Sequence, residues 1–299
     1  MTSISQLLER AAGLGSGRIA VAAAHDEDVL RAVCAAKREN IAQPILVGHR
    51  DEITALLEKL GEAPAEFRII DADTDAACAQ QAVACVTRGE ANFLMKGLLG
   101  TADLMRAVLN RDANLRTGRL LSHVMLYEPQ GHKMMLNTDG GMNTFPTLEQ
   151  KADILENAAQ TLCALGYEKI YAACICGAEV VNPKIPSMLD AQVLAGMTER
   201  WAPYNMEVYG PVGLDLAVSK EACRHKHYAV PGAGEADILL VPDYEVGNAM
   251  GKAMSIFGGA KNAGIIVGAK VPIVLVSRSD SAETKLASIA FGAVTAHHS

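Results

Sequence analysis

Ser277 and Arg278 close an apolar run, residues 272–276, and stand directly before a segment of helical spacing. Where a strand end meets a helix start, backbone N–H groups favour an anion. The guanidinium of Arg278 would add a planar fork of donors suited to phosphate. Asp280 and Glu283 lie three apart at the same helix start, the spacing of a capping box with an acidic N-cap, and structural duty accounts for them. A second cationic candidate, Lys252, sits in the glycine-rich stretch DYEVGNAMGKAMSIFGGAKNAG (243–264). Only three residues separate Gly247 from the Gly251-Lys252 pair, and no Ser or Thr follows to hold magnesium, so this is not a nucleoside-triphosphate phosphate loop. Arg106 lies about one turn into TADLMRAVLN (101–110), with Thr101 placed to cap that helix; alone, Arg106 reads as a solvated side chain.

Other chemistries find no support. GLGSG (13–17) precedes a strand instead of following one, so the G-x-G-x-x-G dinucleotide fingerprint is absent, as are G-x-S-x-G and H-E-x-x-H. His225 and His227 flank Lys226 without further metal ligands at a usable spacing, which reads as a solvated basic patch. The seven cysteines (Cys34, Cys78, Cys85, Cys163, Cys174, Cys176, Cys223) form an odd set with no C-x-x-C pair. They suit small buried positions in a reducing compartment.

Composition narrows the ligand. With 50% hydrophobic and 20% charged residues, the 299-residue chain can bury a sizeable core and is long enough for two domains. A net charge of −7 argues against a nucleic-acid surface, so any anionic ligand is small and held locally. No run approaches the roughly 18 apolar residues of a membrane span, and MTSISQLLERAAGLGSG is too polar for a signal peptide, which points to a cytoplasmic protein.

The elements that must position these residues alternate from the start. RIAVAAA (18–24), PILVG (44–48), FRIID (67–71) and NFLMKG (92–97) each precede an amphipathic stretch, four strand-then-helix units that signal a parallel α/β sheet. Asp26 is placed to cap the first of those helices. HVMLYEP (123–129) and KMMLNTD (133–139), joined by a short turn with Pro and Gly, then read as an antiparallel hairpin. Beyond DGGMNTFP, Thr147 and Gln150 match a capping box before a long helix, 148–165. Further strands are expected at 169–175, 205–211, 237–243 and 271–277, and a closing helix at 281–296 is placed to return to the first domain. The division expected is a first α/β domain of residues 1–138 plus 280–299 and a second of 139–279. In such sheets ligands bind beyond the carboxyl ends of strands, the rule that singles out Ser277-Arg278.

FLMKG with TAD…R, TDGGMN (138–143), GPVGLDLAVS (210–219), LLVPDYEVGNAMGK (239–252) and VPIVLVSRSDSAET (271–284) together resemble the phosphate acetyl/butyryltransferase family, the butyryl-transferring members being the nearer match. The resemblance covers nearly the whole chain. It implies a homodimer, or a higher homo-oligomer, of two α/β/α domains with an isocitrate-dehydrogenase-like architecture and an interdomain cleft. It further implies the reversible reaction of a short-chain acyl-CoA, butyryl-CoA foremost, with inorganic phosphate to give acyl phosphate and CoA. Coenzyme A is then a substrate, and no bound cofactor or metal is called for. Ser277 and Arg278 match the family's phosphate- and acyl-binding pair, and Arg106 a second anion-binding arginine. Thr101, Asn248, Lys252 and Asp139 are the remaining candidate contacts for phosphate or acyl-CoA. Acetyl-transferring members carry an aspartate six residues after the arginine as base for the CoA thiol; here Thr284 stands there, preceded by Glu283. The base falls to Glu283 or to a group outside the loop.

Three rivals follow from the same residues. Phosphate acetyltransfer differs only in the acyl group. An NAD-dependent decarboxylating dehydrogenase of this architecture would need clustered aspartates for a divalent metal, where only Asp139, Asp215 and Asp243 stand scattered at strand ends. A non-catalytic CoA-sensing module would show neither activity.

Overall fold

The computed structural model describes residues 1–15, 17–277 and 280–298. The chain opens with α1 (Ile4–Leu14), β1 (Gly17–Ala22), α2 (Glu27–Arg38), β2 (Ala42–Gly48), α3 (Arg50–Lys59), β3 (Arg68–Asp71), α4 (Asp75–Thr87), β4 (Phe93–Lys96) and α5 (Thr101–Val108). The caps explain several starts: Asp26 accepts from the Val29 N–H at 2.9 Å before α2, and Thr74 from the Ala77 N–H at 3.2 Å before α4. Acidic residues Glu27 and Asp28 open α2 and Lys37 and Arg38 close it, each matched to its end of the helix dipole.

The middle of the chain forms β5 (Ser122–Glu128), β6 (Met135–Thr138), α6 (Leu148–Ala164), β7 (Ile170–Ile175), α7 (Pro186–Gly196), α8 (Thr198–Trp201), β8 (Met206–Val212), α9 (Leu214–Val218), α10 (Lys220–His225), β9 (Ile238–Leu240) and α11 (Tyr244–Ile256). The expected Thr147–Gln150 capping box is present in both directions at the head of α6. The chain then makes β10 (Lys261–Val267), β11 (Ile273–Val274) and α12 (Ala282–His297).

Two compact units result, Ile4–Arg119 with Ala263–Ser299, and Met1–Ser3 with Leu120–Asn262. In the first, strands run in the order β3-β2-β1-β4-β11-β10, parallel except where β10 meets β11. Helix α12 packs on α1 and α2, and α4 on α5. In the second, the order is β5-β6-β9-β7-β8, parallel except for the hairpin β5–β6. Both are α/β, the class that the alternating pattern implied.

The boundaries differ from the 1–138 plus 280–299 and 139–279 division. The hairpin belongs with the later strands because β6 pairs with β9, and residues 263–277 belong with the earlier ones because β11 pairs with β4. Strand β10 escaped the sequence reading because its first residues continue a glycine-rich stretch, and the strand expected at 271–277 shortens to Ile273–Val274. Six of the seven cysteines are buried or half-buried; Cys163 alone is exposed.

Candidate active site

Strands β1 and β4 lie side by side, and the chain leaving β4 turns hard against the end of β1. A Cβ on Gly97 would stand 2.1 Å from the carbonyl oxygen of Ala23, so only glycine fits. The turn is tied by the Gly97 N–H to the Ala22 carbonyl (2.8 Å) and the Leu98 N–H to the Ala23 carbonyl (2.9 Å). This brings the loop after β4 against the loop after β11. Asp26, Lys96, Gly97, Leu98, Ser277 and Lys285 line one narrow crevice between them.

Two of those side chains are buried lysines. Lys96 is 7% exposed, and its Nζ donates to the carbonyl oxygens of Gly97 (3.2 Å) and Leu99 (3.0 Å). Lys285 is 2% exposed, and its Nζ donates to the carbonyl of Asp280. Ser277 and Asp280 are joined by the Ser277 N–H on Asp280 Oδ2 (2.7 Å) and the Asp280 N–H on the Ser277 carbonyl (3.2 Å). The lining thus sets two ammonium groups beside the carboxylate of Asp26, with the Asp280 carboxylate engaged by the Ser277 N–H next to them.

Ser277 is exposed at this mouth, and Arg278 lies outside the described residues. Asp280 does not cap α12, because its carboxylate is engaged with the Ser277 N–H. The cap moves one residue on: Ser281 is the N-cap and accepts from the Thr284 N–H at 3.2 Å. Glu283 is therefore exposed on the first turn of α12 with no capping duty in place, and Thr284 sits half-buried beside it. Thr101 begins α5 and Gly100 is the N-cap, since the turn forced by Gly97 sets the helix start one residue earlier than its hydroxyl suggests. Arg106 is 73% exposed and bound to Asp103 at 2.6 Å. It lines a separate groove of about 750 Å³ between α4 and α5, with Gln80, Thr87 and Asn110, and not the crevice.

The second unit holds Asp139, Asn248 and Lys252. Asp139, 2% exposed at the end of β6, collects four donors: the N–H groups of His123 (3.0 Å), Gly141 (2.8 Å) and Met142 (2.8 Å), and Asn143 Nδ2 (2.6 Å). Asn248 on α11 donates to the Gly140 carbonyl at 3.3 Å. Gly140 and Gly247 meet so closely that a Cβ on Gly140 would stand 2.7 Å from the backbone of Gly247. Lys252, one turn further along α11, is exposed. Of the other strand-end aspartates, Asp243 caps α11 and Asp215 pairs with Lys226 at 2.9 Å.

Sequence reasoning missed Lys96 and Lys285. A signal existed for each: Lys96 ends an otherwise apolar strand, and Lys285 lies four residues after the Ser281 cap on a helix whose later residues are small and apolar. In the loop after β1, His25 meets His49 edge-on at 4.6 Å, and burial and then His49 hold its pKa below the ordinary histidine value.

The family model described as phosphate acetyl/butaryl transferase matches residues 3–82 and 76–293. The chain is 42% identical over 295 residues to the phosphate butyryltransferase of Clostridium acetobutylicum, covering 98% of each. It is also 42% identical over 294 residues to the phosphate acetyltransferase of Thermotoga maritima, covering 98% of this chain and 99% of that one. The crystal structure of a branched-chain phosphotransacylase from Enterococcus faecalis V583 superposes with a TM-score of 0.85 at 35% identity, over 95% of this chain and all of the other.

Proposed function

The chain belongs to the phosphate acetyl/butaryl transferase family, and from that membership we propose that it joins a short-chain acyl group, four carbons foremost, from coenzyme A to inorganic phosphate at the mouth marked by Ser277. A phosphate oxygen attacks the thioester carbonyl carbon, the C–S bond breaks, and its electron pair leaves on the CoA sulfur. The reverse reaction regenerates acyl-CoA from acyl phosphate. Inorganic phosphate is in substantial part dianionic near neutrality and so needs little activation. The departing thiolate belongs to a thiol of pKa near 8.5, a modest demand on an acid. Catalysis is then mainly positioning and stabilisation of the carbonyl oxygen's developing charge.

The observation that carries this placement is the junction of the β4 and β11 loops over a crevice lined by two buried lysines. In this reading Ser277 and Arg278 hold phosphate and the developing oxyanion. Arg106, away from the crevice on its groove, and Thr101 serve the anionic groups of acyl-CoA. Asn248 and Lys252 remain acyl-CoA contacts from the second unit. Asp139 acts by holding its own loop, since both of its oxygens are occupied. Glu283, exposed and uncommitted to the cap, is the base for the CoA thiol in the reverse direction. A homodimer in the cytoplasm belongs to the same reading, supported by the exposed Ile185, Leu189 and Val193 along α7 and by the cysteine usage.

Two relatives of equal identity, one acetyl- and one butyryl-transferring, make acetyl-CoA the alternative donor. Thr284 in place of the acetyl enzymes' aspartate favours the longer chain. Phosphate-dependent release of free thiol from a series of C2 to C6 acyl-CoAs is the test. The expected result is release greatest with a four-carbon chain; release without phosphate, or none with any acyl-CoA, contradicts the reading.

A further inference from the structure

Away from this crevice, the buried Lys151, 6% exposed, meets Asp190 at 2.7 Å. Lys285 is more deeply buried, and among the described residues its Nζ binds only a carbonyl oxygen. Asp26 lines the same crevice but is engaged with the Val29 N–H and forms no ion pair with Lys285. An ammonium group buried with a carbonyl as its hydrogen-bond partner and no carboxylate in direct contact is stabilised further when an anion arrives nearby. The crevice itself is too small to receive one. Its volume of about 10 Å³ admits no more than a single water, so an anion drawn by these charges would have to stay outside it.

Resting on the phosphate-transfer reading, we infer that Lys285 and Lys96 are positioning residues for inorganic phosphate, acting from beneath the Ser277 mouth. Each ammonium binds carbonyl oxygens of one of the two loops: Asp280 for Lys285, Gly97 and Leu99 for Lys96. Those carbonyls present negative dipole ends that would repel an anion; tied to ammonium groups, they no longer do. The two charges stay fixed below the mouth in a water-poor setting, where they attract phosphate more strongly than solvated lysines would. Acyl-CoA, held by other groups, is not their target.

Lys285→Gln separates charge from scaffold, because the amide keeps a donor for the Asp280 carbonyl and loses the positive charge. The phosphate KM is expected to rise about tenfold or more, the loss of one charge-assisted contact, while the butyryl-CoA KM stays within about threefold. The melting temperature should hold within a few degrees, which a small free-energy change allows. Lys285→Arg, which restores the charge, should return the phosphate KM toward the parent value. Binding is read separately by the rise in melting temperature that inorganic phosphate gives the parent, which Lys285→Gln should lose.

An active parent whose phosphate KM and phosphate-induced shift are untouched by Lys285→Gln overturns the inference and leaves the transfer reading standing. A parent that releases no thiol from any acyl-CoA, yet loses its phosphate-induced shift in Lys285→Gln, does the reverse. Equal rises in both KM values with a lowered melting temperature mark Lys285 as scaffold alone and also overturn it. Should Lys285→Gln fail to fold, Lys96→Gln poses the same question from the other loop, and an unchanged phosphate KM there counts against the inference.

Discussion

Two loops in this protein leave the carboxyl ends of parallel strands and are knitted by buried charges of opposite sign. After β6, the Asp139 carboxylate gathers three backbone N–H groups and an amide, so the donors of residues 141–143 are turned inward onto a negative charge. After β4 and β11, the ammonium groups of Lys96 and Lys285 gather carbonyl oxygens beneath the loops. The same position in an α/β sheet thus gives one loop whose donors are spent on a carboxylate and one whose carbonyls are spent on ammonium groups. A strand end is a place for a ligand, and on the proposed reading the buried charge selects which one.

The contrast breaks most visibly at Asp139. Asp139→Ala orphans four donors at once and is expected to cost about 4 kcal/mol of stability by urea denaturation, with activity per folded molecule kept within a few-fold. A loss below about 1 kcal/mol would mean that the loop does not depend on its charge. Gly97→Ala probes the other loop: the added methyl collides with the Ala23 carbonyl, and an overpacking cost of about 2 kcal/mol is expected, with a raised phosphate KM as the β4 loop shifts from the mouth. Unaltered stability and KM would show that the close approach does not shape the site.

Smaller effects sharpen the same contrast. Glu283→Gln should slow both directions about threefold to tenfold below saturation, because the group that takes the proton from the CoA thiol in one direction returns it in the other, and the loss should shrink as pH rises toward the thiol pKa of about 8.5. A loss that does not change with pH would remove Glu283 as the base. His25 is the mildest case. Its lowered pKa means that the fold favours the neutral ring, so its contribution is present above the ordinary histidine pKa and fades as pH falls through the lowered value. His25→Gln should flatten the decline in melting temperature below pH 6.5; an identical decline in parent and variant would assign the acid sensitivity elsewhere.

Much of this was legible in the sequence. Four strand-then-helix units and the Thr147–Gln150 box read directly, because local periodicity and capping decide them. The misplaced elements depend on distant partners. Strand β11 is two residues long and exists because Ile273 and Val274 pair with both β4 and β10, which no local pattern states. The Asp280–Glu283 box failed through competition, since the Ser277 N–H claims the aspartate and Ser281 takes over the cap. Lys96 and Lys285 were passed over because a lysine is ordinarily a solvated residue, and only tertiary structure shows both buried beneath one mouth.

The proposal at the centre of this reading is that the Ser277-Arg278 pair holds phosphate. Its most direct test is the rate of thiol release from butyryl-CoA against phosphate concentration, in the parent and in Arg278→Ala. Losing a preorganised donor of this kind costs about 2.7 to 4 kcal/mol, so turnover should fall roughly 100- to 1,000-fold, with a raised phosphate KM and a melting temperature within a few degrees of the parent. Activity retained within a few-fold would place the phosphate elsewhere and contradict the account.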